Sequence, residues 1–126
     1  METYNPDKEI DAAAWLWLDE NERIELVQQF HLLSDQDLPE DKIRLHSAIH
    51  VVVENQLAMG VEPVPETIAR LIRQGLDRHE AIHAIGAIIA GDIFDILKGN
   101  VQEYSLVKYR RKLEKITAKR WRKGQY

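Results

Sequence analysis

The chain has no cysteine among its 126 residues, which excludes both disulfides and thiolate metal ligands. It has no apolar run approaching the roughly 18 residues of a membrane span, so no membrane partner is expected. Its start, Met1 to Asp7, has neither a basic nor an apolar leader region, so no signal peptide is expected. Internal repeats and low-complexity tracts are absent, and no stretch alternates polar and apolar residues long enough to make a strand. What is left is one helical domain over residues 1–126, expected in the cytoplasm, with 44% hydrophobic and 30% charged residues in ordinary globular proportion.

Charge is unevenly placed. Residues 108–123 hold nine Lys or Arg against the single acid Glu114, while the net charge of the whole chain is −4. An acidic body therefore carries a basic C-terminal segment, residues 108–126, expected to be one helix and tail docked by Tyr109, Leu113, Ile116 and Trp121. The pI of about 5.7 argues against generic nucleic-acid binding by the whole protein. The cations are then solvated or face an acidic protein partner, and a homo-oligomer is the other partner that the chain leaves open.

Helix punctuation predicts about five helices in a compact all-α bundle. Residues 1–18 form an N-terminal arm or short helix, with Asn5-Pro6 as a helix start and Trp15 and Trp17 packed on the core. Asp19 to Glu22 has capping-box spacing and opens a helix to about Leu33, with Ile24, Val27 and Phe30 inward and His31 at the rim. Ser34 to Pro39 is a polar turn. A long helix then runs from Glu40 to Met59, closed by Gly60. After the loop Val61 to Pro65, a shorter helix over Glu66 to Gln74 points Ile68, Leu71 and Ile72 inward. Asp77 to Glu80 caps a helix reaching Lys98, and Asn100 to Glu103 repeats the pattern before the last one.

Two histidine pairs stand out, His46 with His50 and His79 with His83. Each pair is four residues apart, one turn along one helix face. His46 and His50 share a stripe with Ile43, Val53 and Leu57. His79 and His83 share one with Gly86, Ala90, Ile93, Phe94 and Leu97. Both stripes are otherwise apolar, so the imidazoles face inward. Each buried ring nitrogen left without a partner costs roughly 1–3 kcal/mol. Four would remove much of a typical stability of roughly 5–15 kcal/mol. A metal ion shared by His46, His50, His79 and His83 satisfies all four. Core histidines bonded to backbone, water, Ser47, Gln56 or carboxylates are the alternative. If successive helices run antiparallel, the two histidine helices run parallel with both pairs at similar height.

Imidazole ligands suit a divalent ion, zinc first, with iron, nickel and copper as the other choices. Four histidines make a closed structural zinc site; three plus water leave a position for hydrolysis. Candidate catalytic groups are Glu54, one turn beyond His50, and Glu80. Glu54 could be a ligand, a ligand's partner or a general base. Arg78 is a solvated helix-start residue or the holder of an anionic substrate. Asn55 and Gln56 support helix packing or the ligands. His79 to His83 is a literal H-E-x-x-H motif, but Ile89 occupies the third ligand position of its extended form and no strand-rich region precedes it. Glu80 also sits where a capping box would bond it to the Asp77 backbone. Ferritin-like centres need a second Glu-x-x-His, and hemerythrin-like ones a further histidine after His83. The hydrolases of the damage-inducible-B type offer an analogy of site only, three histidines with an H-x-x-x-H pair.

Residues 15 to 99 or so carry a closer resemblance. Trp15-Leu-Trp-Leu-Asp-Glu, Ile49-His-Val-Val-Val-Glu-Asn-Gln56 and Gly75-Leu-Asp-Arg-His-Glu-Ala-Ile-His-Ala-Ile-Gly86 resemble the signature of a family of small bacterial proteins, a domain of unknown function. The resemblance implies a bacterial source and a stand-alone domain, and no mechanism. The expected function is metal binding at an interhelical histidine site, with a metal-dependent hydrolase as its enzymatic form. The alternative is a non-enzymatic structural or interaction module with core histidines and a basic partner-binding helix.

Overall fold

The computed structural model of the chain describes residues 1–34, 39–101 and 103–126, and the backbone alone of Glu40. The expected turn from Ser34 to Pro39 lies mostly outside the described residues. The fold is all-α. Among the described residues seven helices pack together, α1 (Ala12–Trp17), α2 (Glu20–Ser34), α3 (Glu40–Ala58), α4 (Val64–Arg73), α5 (Arg78–Leu97), α6 (Leu106–Lys115) and α7 (Ala118–Arg122). No described helix is long and apolar enough to cross a membrane.

The count exceeds five at both ends of the chain. At the N-terminus, Asn5 does not start a helix; its Oδ1 accepts from the Asp7 N–H at 3.0 Å and makes a local turn. Asp11 caps the short α1 instead. At the C-terminus, Asn100 does not cap. Its side chain reaches back to Asp95, and Ser105 accepts from the Lys108 N–H to open α6. The basic segment is then broken at Ile116, whose backbone turns extended, and Thr117 caps α7. At each restart a side-chain cap satisfies one of the N–H groups that the new first turn leaves without a helical partner.

The middle of the chain follows its punctuation. Asp19 Oδ1 accepts from Glu22 N at 2.8 Å while Glu22 Oε1 accepts from Asp19 N at 3.1 Å, a reciprocal capping box. Gly60 and Gly99 take the left-handed backbone after α3 and α5, at φ of 66° and 76°. The short helix starts two residues early, because Pro65 fits its first turn.

α3 is the shared wall of two apolar clusters. Val53 packs into the larger, with Val64, Leu71, Ile82, Ile85, Ile88, Tyr109 and Leu113. Val51 packs into the smaller, with Tyr4, Trp15, Leu18 and Val27. Trp15 is fully buried and donates Nε1 to Asn55 Oδ1 at 2.9 Å, whereas Trp17 is 82% exposed, so only one of the two tryptophans packs on the core. Ile72 is also exposed, and Thr67 takes the buried place on α4.

α3 and α5 do not run parallel. His46 lies against His83, His50 against His79, and Glu54 against Arg78, so the two helices meet in opposite senses. α4 has only ten residues and does not serve as a full-length antiparallel partner between them. On this register the start of α3 comes level with about Ile89. The continuation of the α5 stripe, Ile93, Phe94 and Leu97, lies beyond that point and is exposed.

Candidate metal centre

All five histidines of the chain meet at one place, on three helices. α2 supplies His31, α3 supplies His46 and His50, and α5 supplies His79 and His83. A ring nitrogen of each of His31, His50, His79 and His83 lies within 4.8 Å of the others. The His46 ring is packed beside them, with centroids 4.6 Å from His31, 5.0 Å from His50 and 5.1 Å from His83. The Nε2 atoms of all five are buried. His31 and His50 are almost wholly enclosed; His46, His79 and His83 are half-buried.

His31 is the residue that sequence reasoning placed wrongly, at the rim. It follows Ile24 by seven residues and Val27 by four, so it sits on the inward stripe of α2. That spacing was the available signal.

The hydrogen bonds around the cluster fix which nitrogen faces it. His31 Nδ1 lies 2.8 Å from the Val27 carbonyl oxygen, which can only accept. The proton is therefore on Nδ1 and the lone pair on Nε2. At His50 the tautomer is set through Tyr4. Tyr4 Oη donates to Glu54 Oε2 at 2.7 Å, since a carboxylate only accepts. With its proton committed there, Tyr4 Oη accepts from His50 Nδ1–H at 3.1 Å. His50 Nε2 is left with its lone pair, buried and with no hydrogen-bond partner among the described residues. A second set of acceptors that orients ligand imidazoles is the usual environment of a metal-binding histidine.

Glu54 is 1% exposed, and both its oxygens are engaged. Arg78 Nη2 donates to Oε1 at 2.7 Å and Arg78 Nη1 to Oε2 at 2.9 Å, a bidentate pair. Arg78 is thus no solvated helix-start residue, and Nη1 also donates to the Pro6 carbonyl at 2.9 Å. The N-terminal segment is tied to this side of the cluster again by Asp7 Oδ1, which accepts from His79 N at 3.3 Å. Burial alone would lower the Arg78 pKa, but its hydrogen bonds and charge pairing with Glu54 raise it. Burial, reinforced by Glu54, pushes the Tyr4 phenol far up, so it stays a donor. His50 is held far below the ordinary histidine range, first by burial and then by the neighbouring histidines. The neutral imidazole is the form that binds metal.

Glu80 is not bonded back to the Asp77 backbone. Asp77 Oδ1 does accept from Glu80 N at 2.7 Å, but the Glu80 carboxylate accepts from Trp121 Nε1 at 2.7 Å and secures α7 to α5. Gln56 supports packing, accepting from Tyr109 Oη at 2.6 Å. At Gly86 a Cβ would come 3.1 Å from Ile49 Cγ2, so α3 and α5 cross closely just above the histidines. Beside the cluster lies a cavity of about 280 Å³ bordered by His46, His50, His83 and apolar residues of α3, α5 and α7.

No known family model, curated protein or solved structure matches the chain.

Proposed function

We propose that this protein binds a divalent metal ion, zinc first and iron second, between α2, α3 and α5. The observation that carries the reading is the convergence of His31, His50, His79 and His83, each offering a nitrogen within 4.8 Å of the others. His46 is the adjacent fifth imidazole. Bound there, the ion joins three helices contributed from distant parts of the chain. Glu54 acts through Tyr4 on the orientation of His50, and Arg78 compensates its charge. The motifs that resemble the small bacterial family coincide with α3 and α5 residues of this site.

A metal-dependent hydrolase is the enzymatic form of the proposal, and it takes three of these imidazoles with water in the fourth position. The cavity bordering His50 and His83 supports it, because a reacting molecule needs space beside the ion. Elemental analysis of protein purified without an affinity tag tests the reading. About one equivalent of zinc or iron per chain is expected, and substitution of His50 and His83 together removes it.

The non-enzymatic alternative draws on the exposed cations of α6 and α7, among them Lys108, Arg110, Arg111, Lys119 and Arg120. An acidic protein partner would be their counterpart. Protein that holds no stoichiometric zinc or iron, yet binds an acidic partner through α6 and α7, would favour this alternative.

A further inference from the structure

We infer that the cavity between α3, α5 and α7 is a binding chamber for a small apolar monocarboxylate, with its acid group towards the histidine floor. This rests on the metal reading above and names what the site would take.

The walls set the body of the ligand. Ile49, Ile82, Ala87, Ala90 and Trp121 surround a volume of about 280 Å³. The small side chains at Ala87 and Ala90 leave the space that larger residues would fill. Trp121 Nε1 is already committed to Glu80 at 2.7 Å. The indole is therefore a fixed apolar wall, and α7 is held further by Ala118 N donating to Gln74 Oε1 at 2.8 Å. The walls offer a ligand body no hydrogen-bond partner, so a polar body settling on them would lose part of its hydration without replacement. An apolar cavity of about 150 Å³ accommodates benzene, so this one suits a ring with a short chain, about eight to ten carbons.

The floor sets the head group. His46, His50 and His83 border the cavity, and two of them belong to the four-nitrogen set. A divalent ion on neutral imidazoles carries two positive charges that the ligands do not offset. Glu54, the buried carboxylate of this region, already has both oxygens bonded to Arg78 and Tyr4. A carboxylate entering from the chamber supplies the missing negative charge on a side where there is room for it.

The test is calorimetric titration of zinc-loaded protein with 3-phenylpropanoate. Acetate serves as the head alone, and 3-phenylpropan-1-ol as a neutral body. One phenylpropanoate per chain is expected, with each control at least tenfold weaker. Ala90→Leu and, separately, Ala87→Leu fill the chamber and should weaken phenylpropanoate at least tenfold while zinc stoichiometry stays unchanged. Zinc-loaded wild type that binds phenylpropanoate no better than the alcohol or acetate overturns the chamber and leaves the metal reading intact. So does undiminished binding in a leucine variant that keeps its zinc. If a leucine variant loses its zinc, the wild-type comparison decides. A wild type that takes up no zinc overturns the metal reading itself, and the charge argument for the acid head with it.

Discussion

Tyr4 Oη stands 3.1 Å from His50 Nδ1 and 2.7 Å from Glu54 Oε2, joining the N-terminal segment to the histidine cluster through one hydroxyl. The hydroxyl gives its proton to the carboxylate and takes one from the imidazole. Tyr4→Phe keeps the ring and its edge contact with His50 but removes both bonds. Zinc affinity should fall about 10- to 100-fold, the usual loss when a ligand's outer hydrogen-bond partner is removed. Competition against a chromogenic chelator measures it. Unchanged affinity would mean that Tyr4 does not orient the ligand.

Glu54 and Arg78 are a buried pair, with side chains 1% and 10% exposed. Removing one partner leaves the other charge buried alone. Glu54→Gln or Arg78→Met should each cost about 3–5 kcal/mol of stability by urea denaturation. Glu54→Leu combined with Arg78→Met should cost less than the sum of the corresponding single changes, because the uncompensated charge is gone. Additive losses would show that the pair is not coupled.

His50 predicts the acid behaviour of the metal-free protein. Its folded pKa lies far below its unfolded value of about 6.5. Below that pH the unfolded chain binds a proton that the folded chain refuses. Stability contributed by neutral His50 is thus complete above about pH 6.5. It declines as pH falls, by about 1.4 kcal/mol per pH unit for one such group. Urea midpoints of metal-free protein between pH 7.5 and 5 should fall accordingly, and His50→Leu should flatten the slope. A wild-type midpoint that rises on acidification would contradict this.

The α6–α7 cations should not bind generic DNA or RNA at physiological salt. Lys112 is paired with Asp92, and Arg122 Nη2 donates to the Gly75 carbonyl at 3.2 Å, so part of the basic charge is used within the fold. Fluorescence anisotropy with labelled duplex and single strands tests this. A salt-sensitive complex of micromolar affinity or tighter would overturn it.

Helix-forming signals in the sequence were local and survived folding where their caps had no competitor, as at Asp19, Gly60, Asp77 and Gly99. They misled where a second cap lay a few residues on. Ser105 displaced Asn100, and Thr117 split the basic segment. The candidate site was legible because four-residue spacing places His46 with His50 and His79 with His83 on apolar faces. His31 needed the same arithmetic applied to a single residue against Val27. Partners across the chain were not legible. That Arg78 would pair with Glu54, or Tyr4 with His50, depends on α3 and α5 meeting in opposite senses, which periodicity within one helix does not encode.

If an ion held by imidazole nitrogen joins α2, α3 and α5, both its shell and its effect on stability are measurable. Untagged protein should be stripped with chelator, reconstituted with zinc and examined by zinc-edge X-ray absorption, with the melting temperature followed in parallel. One zinc per chain is expected, with a first shell dominated by imidazole nitrogen at about 2.0–2.1 Å and a melting temperature that rises with zinc. His31→Ala should weaken the binding, and His50→Ala with His83→Ala should abolish both signals. A chain that takes up no stoichiometric zinc or iron, or holds zinc in an oxygen-dominated shell that the histidine substitutions leave intact, would contradict an imidazole-held ion.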